Sequence, residues 1–149
     1  MKRVIEVKGK LVDDKVQFTA AARDNPPVQC DFFPPIGTGQ GYTGLEVLLL
    51  SLAVCSATTI AYLLRKSGKE VSGCEVDAKG TIKELPAVGL ESAILHFNLT
   101  SPDVVQGDMD RALDLARESA CPVWQMVKDN FEISTRYNII SVSQKENMP

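Results

Sequence analysis

The stretch GLEVLLLSLAVCSATTIAYLL, Gly44 to Leu64, limits the possible folds more than any other part of the chain. From Val47 to Leu64 it carries no charged residue. Its length sits at the threshold of about 18 residues at which a membrane span becomes feasible. Ser51, Ser56, Thr58 and Thr59 interrupt the run, however, and the sequence contains no second run like it. The expectation is therefore a buried helix of a soluble protein, with no membrane involved. Thr43 suits the N-cap, and Glu46 three residues on completes a capping-box pattern. Arg65 and Lys66 fall in the last turn, and Gly68 supplies a C′ residue. The predicted helix runs from Leu45 to Ser67. Apolar residues occupy nearly every position of it, and a helix apolar all round is buried on all sides. In a chain of 149 residues, burial of that extent calls for a second subunit.

The rest of the chain reads as alternating elements. Val4, Ile5 and Val7 open a strand, Asp13-Asp14 mark a turn, and Val16, Phe18 and Ala20 alternate in the next strand. Val28 to Phe33 gives a third short strand, stopped by Pro34-Pro35. The glycine-rich segment Gly37 to Gly44 is either flexible or passes close to something. Val71 to Ile82 and Leu90 to Leu99 form two strands. In the second, Ala93, Leu95, Phe97 and Leu99 share one face and His96 takes the other. A second helix runs from about Pro102 or Val104 to Ser119, with Ser101-Pro102 suited to N-cap and N1. A short third helix opens at Pro122, and a last strand spans 131–142. The order βββ–α–ββ–α–α–β predicts an α+β domain with antiparallel pairing. It covers 1–149 as a single unit, with residues 143–149 as a frayed tail.

Composition removes several function classes. The formal net charge is −3, with no basic stripe, so nucleic-acid binding has no electrostatic support. Gly37 to Gly44 lacks the lysine of a phosphate-binding loop, which argues against nucleotide binding. The four cysteines, Cys30, Cys55, Cys74 and Cys121, form no CxxC pair, and His96 is the single histidine, so a structural zinc is not expected. The opening MKRVIEVKGK lacks the apolar segment of a secretory signal. The expected location is the cytoplasm, with reduced thiols.

Two cysteines have informative settings. Pro122 fits the first helical position, which makes Cys121 the N-cap of the third helix. A thiolate there meets free N–H groups and commonly has a lowered pKa. The competing reading is a buried cysteine packed on Trp124. Cys55 lies among Leu48, Ser51, Leu52, Thr59 and Tyr62 at helical spacing. Apolar burial raises a thiol pKa, so Cys55 by itself reads as core filler without a nearby cation. Cys74 shares a strand face with Val76 and Ala78 and reads as core. Cys30, beside prolines, carries no mark of reactivity. His96 reads as a surface or interface histidine. Trp124 and Tyr42 either line a pocket beside the cysteines or simply pack.

Taken in chain order, these pieces make a pattern. A glycine-rich loop leads into a Leu/Ala-rich helix with a central cysteine, GLEVLLLSLAVC. After two strands and an amphipathic helix comes RALDLARESACPV. This resembles the OsmC/Ohr family of osmotically inducible and organic hydroperoxide resistance proteins, in its OsmC-like branch. The resemblance implies an intertwined α+β homodimer, with antiparallel sheets around a long buried central helix and active sites at the subunit interface. It implies thiol-dependent reduction of organic hydroperoxides without metal, flavin or haem. Cys55 takes the place of the peroxidatic cysteine and Cys121 that of the resolving cysteine, and an external dithiol reduces their disulfide.

Two departures from the family pattern stand out. There is no arginine between Asp24 and Leu64, so the cation that activates the first cysteine in peroxidase members has no match, and Arg23 does not align with it. Glu46 is shifted by one position. A continuous helix puts it half a turn out of phase with Cys55 and roughly 13 Å away along the axis. The alternative expectation is a non-enzymatic module of the same fold that binds a small apolar ligand or senses oxidation.

Overall fold

The structure, a computed structural model, describes residues 2–142. The tail expected at 143–149 lies outside the described residues. Among the described residues the chain is α+β, with one long helix and two three-stranded sheets. It forms two compact units, Met1–Val47 and Leu48–Pro149, whose boundary falls in the first turn of the long helix.

The first unit holds β1 (Lys8–Leu11), β2 (Phe18–Ala21) and β3 (Val28–Cys30), antiparallel in that order. The predicted turn at Asp13-Asp14 forms because one Asp13 carboxylate oxygen accepts the amides of Lys15 at 2.9 Å and Gln17 at 3.0 Å. The strand expected from Val4 is corrected. Pairing begins at Lys8 opposite Ala21, where β2 ends, so no strand of this unit faces Val4, Ile5 or Val7. Likewise β2 starts at Phe18 rather than Val16, and β3 ends at Cys30 rather than Phe33.

Gly37 to Gly44 passes close to its neighbours. Asp31, buried, accepts hydrogen bonds from the amides of Phe32, Thr38 and Gln40 and from the Thr38 hydroxyl. A Cβ on Gly37 would run into the Asp31 carboxylate and the Phe32 carbonyl, which is why a glycine stands there.

α1 spans Gly44–Lys66. The Thr43 hydroxyl accepts the Glu46 amide at 3.2 Å and the Glu46 carboxylate accepts the Thr43 amide at 2.8 Å, a reciprocal capping box. At the other end Gly68 adopts φ +89°, and the amides of Gly68 and Lys69 bond the carbonyls of Arg65 and Leu64, a Schellman closure.

The second unit contains the rest of α1, then β4 (Gly73–Lys83), β5 (Gly89–Ser101), α2 (Gln106–Leu115), a π-helical turn (Ala116–Ala120), α3 (Pro122–Val127) and β6 (Glu132–Ser141). The sheet order is β4-β5-β6. β4 and β5 are antiparallel, but β6 runs parallel to β5, which corrects the expectation of antiparallel sheets throughout. The helices between β5 and β6 carry the chain back to the end where β5 began, as a parallel neighbour requires.

The start of α2 is also corrected. Ser101 does not cap it. The Ser101 hydroxyl accepts the amides of Asp103 and Val104 in the preceding turn, and the helix begins after Val105, whose amide bonds the Asp108 carboxylate at 2.9 Å.

Ala93, Leu95, Phe97 and Leu99 are all buried, as their alternation predicts. They share one core with Leu52, Ala53, Ile60 and Leu64 of α1, Met109, Ala112 and Leu113 of α2, and Trp124 of α3. Burial of each large side chain contributes about 1.5–3 kcal/mol relative to leaving it in water. α1 is nevertheless not buried on all sides within one chain. Its buried stripe is Leu52, Ser56, Ile60 and Leu64 with Ala53, while Val54 remains 51% and Tyr62 60% exposed. α1 is long and apolar enough to cross a membrane, by length and composition.

Candidate functional site

Cys121 sits where the sequence puts it. Proline drives the preceding residue out of the helical region, and Cys121 is extended at φ −91° and ψ 110°. The chain reaches it through the π-helical turn, closed by the Cys121 amide on the Ala116 carbonyl at 3.2 Å. The Cys121 carbonyl then accepts the Gln125 amide, so Cys121 is the N-cap of α3 in backbone terms. The turn is held from outside. Gln125 donates through Nε2 to the Arg117 carbonyl at 2.7 Å, and the Arg117 guanidinium lies 5.7 Å from the centre of the Trp124 ring. Trp124 itself packs in the core at 1% exposure.

Of the two readings of Cys121, use of the α3 amides by its thiol is corrected, and the buried cysteine is what the structure has. The Cys121 side chain makes no cap bond to its own helix. Its sulfur, fully buried, turns to α1 and lies 3.7 Å from the Ser56 hydroxyl. Cys55 is partly buried. Burial pushes its thiol up, the Val123 amide pulls the other way, and the adjoining Cys121 thiol raises it further. Among the described residues, no lysine or arginine of this unit acts on it. The Thr59 hydroxyl donates to the Cys55 carbonyl at 2.9 Å, which fastens this turn of the helix.

The fold thus brings Cys55 and Cys121 together and leaves the other candidates apart. Cys74, on β4, packs partly buried against the core, and burial raises its thiol. Cys30 and Tyr42 form a bridge within the first unit, where Tyr42 is half exposed. Glu46 is occupied as the cap of α1. His96 has a partner not foreseen from sequence: its Nε2 lies 3.0 Å from Asn138 Nδ2. A groove of about 870 Å³ between α2 and β6, lined by Asp110, Arg117 and Tyr137 among others, holds none of the cysteines.

Sequence reading missed two residues. Asp31 had no signal beyond its place beside a glycine-rich loop. Ser56 did have one. It is the polar member of the stripe Leu52, Ser56, Ile60, Leu64, spaced by four on the buried face of α1.

The chain is similar to several known proteins. A family described as OsmC-like protein matches residues 37–136. Protein YhfA of Escherichia coli strain K12 is 28% identical over 97 residues, covering 65% of this chain and 72% of that protein. The solved structure of an OsmC-like protein from Mycoplasma pneumoniae superposes with a TM-score of 0.79 at 20% identity, covering 94% of this chain and 99% of the other. The organic hydroperoxide resistance protein OhrB of Bacillus subtilis gives a TM-score of 0.66 at 11% identity, covering 91% and 98%.

Proposed function

The chain belongs to the OsmC-like protein family, and on that premise we propose that it is a thiol-dependent reductase of organic hydroperoxides. The observation that carries the reading is the meeting of a partly buried Cys55 with a fully buried Cys121. Only the first has exposed surface for a substrate, and the second is enclosed in the core. The Cys55 thiolate attacks the peroxide oxygen, the O–O bond breaks, and the alkoxide takes a proton to leave as alcohol. Cys55 is left as a sulfenic acid. The Cys121 sulfur then displaces the sulfenic hydroxyl, which takes the Cys121 proton and leaves as water, and a disulfide forms. An external dithiol reduces it by exchange. No cofactor is needed for this balance.

A homodimer belongs to the same proposal. Leu50, Val54 and Tyr62 present apolar surface on α1 that a second copy would cover. Four free thiols suit a reducing, cytoplasmic location.

The test is consumption of cumene hydroperoxide with a dithiol donor by the wild-type protein and by Cys55→Ser. Turnover lost in the variant supports the mechanism, and an active Cys55→Ser protein rules it out. One observation favours a second reading, a small apolar ligand-binding or redox-sensing module: among the described residues, no cation of its own unit acts on the raised Cys55 thiol. Absence of turnover together with stoichiometric oxidation of the pair would establish that reading instead.

A further inference from the structure

We propose that Ser56 is a positioning residue that holds the Cys121 sulfur ready to close the disulfide with Cys55. The inference rests on the reading of the two cysteines given above, and it concerns a residue that neither cysteine chemistry nor helix formation explains. Serine is an ordinary helix former at best and stabilises nothing when buried in an apolar stripe. Yet Ser56 stands at 0% exposure between Leu52 and Ile60. Its hydroxyl is satisfied by the Cys121 sulfur at 3.7 Å, across 65 residues of chain.

The consequence follows from geometry. Cys55 and Ser56 are consecutive on α1, so their side chains diverge by about 100°. The Cys121 sulfur lies against both. A cysteine side chain has three staggered positions, and attack on a sulfenic sulfur needs the reacting atoms aligned at about 3–3.5 Å. The Ser56 contact selects the position that faces α1. While Cys121 is a thiol, either group can donate in this contact. As the S–H bond gives up its proton to the departing hydroxide, the Ser56 O–H becomes the donor to the sulfur and stabilises the charge it carries. The bond that breaks is Cys55 S–O, the bond that forms is Cys55 S–Cys121 S, and Ser56 neither gains nor loses an atom.

The step can be read without a peroxide. Diamide adds to an accessible thiol, and displacement of the resulting hydrazine by a second thiol gives the same disulfide. In a Cys30→Ser, Cys74→Ser background, the rate of Cys55–Cys121 disulfide formation with diamide is measured for Ser56, Ser56→Ala and Ser56→Thr, each with its melting temperature. Ser56→Ala is expected to slow closure by about three- to tenfold, the kinetic weight of one modest hydrogen bond. Ser56→Thr, which keeps a hydroxyl on the same carbon, restores it. With hydroperoxide as oxidant, dimedone trapping of the Cys55 sulfenic acid rises in the alanine variant. An unchanged closure rate in Ser56→Ala overturns the assignment. So does slow closure that a fully folded Ser56→Thr protein does not repair, which would make the effect one of packing. If diamide gives the expected pattern while hydroperoxide never oxidises Cys55, the role of Ser56 stands and the peroxidase reading falls.

Discussion

The Thr38 hydroxyl donates a 2.6 Å hydrogen bond to a carboxylate oxygen of Asp31. With the amides of Phe32, Gln40 and Thr38, and against the cost of burial, it holds the Asp31 carboxyl at about 2. A lowered carboxyl pKa stabilises the fold above the unfolded value near 4, and this support is lost as pH falls through about 2. Amide exchange of Thr38 and Gln40 should therefore stay protected from pH 7 down to pH 4 and become unprotected near pH 2. Asp31→Ala should expose the same amides at neutral pH. Protection of these amides in that variant would show that the loop is held by something else.

The Cys55 thiol should titrate above the ordinary thiol range. In protein lacking Cys30 and Cys74, alkylation by iodoacetamide should reach its midpoint above that range. Cys121→Ser should bring it part of the way down, because burial remains when the neighbouring thiol is gone. Hydroperoxide consumption should accordingly climb across pH 7 to 9 without a plateau. A midpoint below neutrality would mean that a cation other than those of the described residues of this unit reaches Cys55.

Tyr137 ties β6 to α2 through a 2.6 Å hydrogen bond from its hydroxyl to the Asp110 carboxylate. Burial first, then the Asp110 bond and charge, push its phenol up to about 12. Of the three tyrosines, one should ionise near that value in an ultraviolet titration. A raised pKa means that the stabilisation is complete below about pH 10 and is lost as pH rises towards 12. The pair lies at the surface, so Tyr137→Phe should cost about 1 kcal/mol or less. That corresponds to a fall in Tm of about 2–4 °C at most. A phenylalanine variant that no longer folds would contradict this estimate.

Phe97→Ala removes a side chain with 0% exposure at the centre of the core. Urea unfolding should show a loss of about 3–5 kcal/mol. Ile94→Ala, on the opposite and partly exposed face of β5, should cost about 1 kcal/mol. Equal losses would mean that the two faces of β5 are buried alike.

Particular elements show how far the sequence could be read. α1 was legible to within one residue at each end because its signals are local: Thr43 and Glu46 bond each other, and Gly68 takes a backbone conformation that suits glycine. The inward face of β5 was legible because side chains alternate along any strand. That same alternation is blind to direction, so the parallel pairing of β6 with β5 was not seen, although the two intervening helices signalled a crossover. Val4 to Val7 alternate as a strand would and are not one, because a strand needs a partner and β2 ends at Ala21. Val105 displaced Ser101 as the cap of α2 because the Asp108 carboxylate reaches back to the Val105 amide.

For the site, the sequence by itself determined the two cysteines, their helical settings and the proline that sets Cys121 at the head of α3. These rest on residue identity and spacing along one segment. Only the tertiary structure decided which groups meet. The Cys121 thiol adjoins Cys55, and its sulfur turns to Ser56. It also decided that one stripe of α1 is buried while Val54 and Tyr62 stay exposed. An apolar helix shows no preference among its own faces. Which face is covered depends on β5, α2 and α3, whose residues come later in the chain.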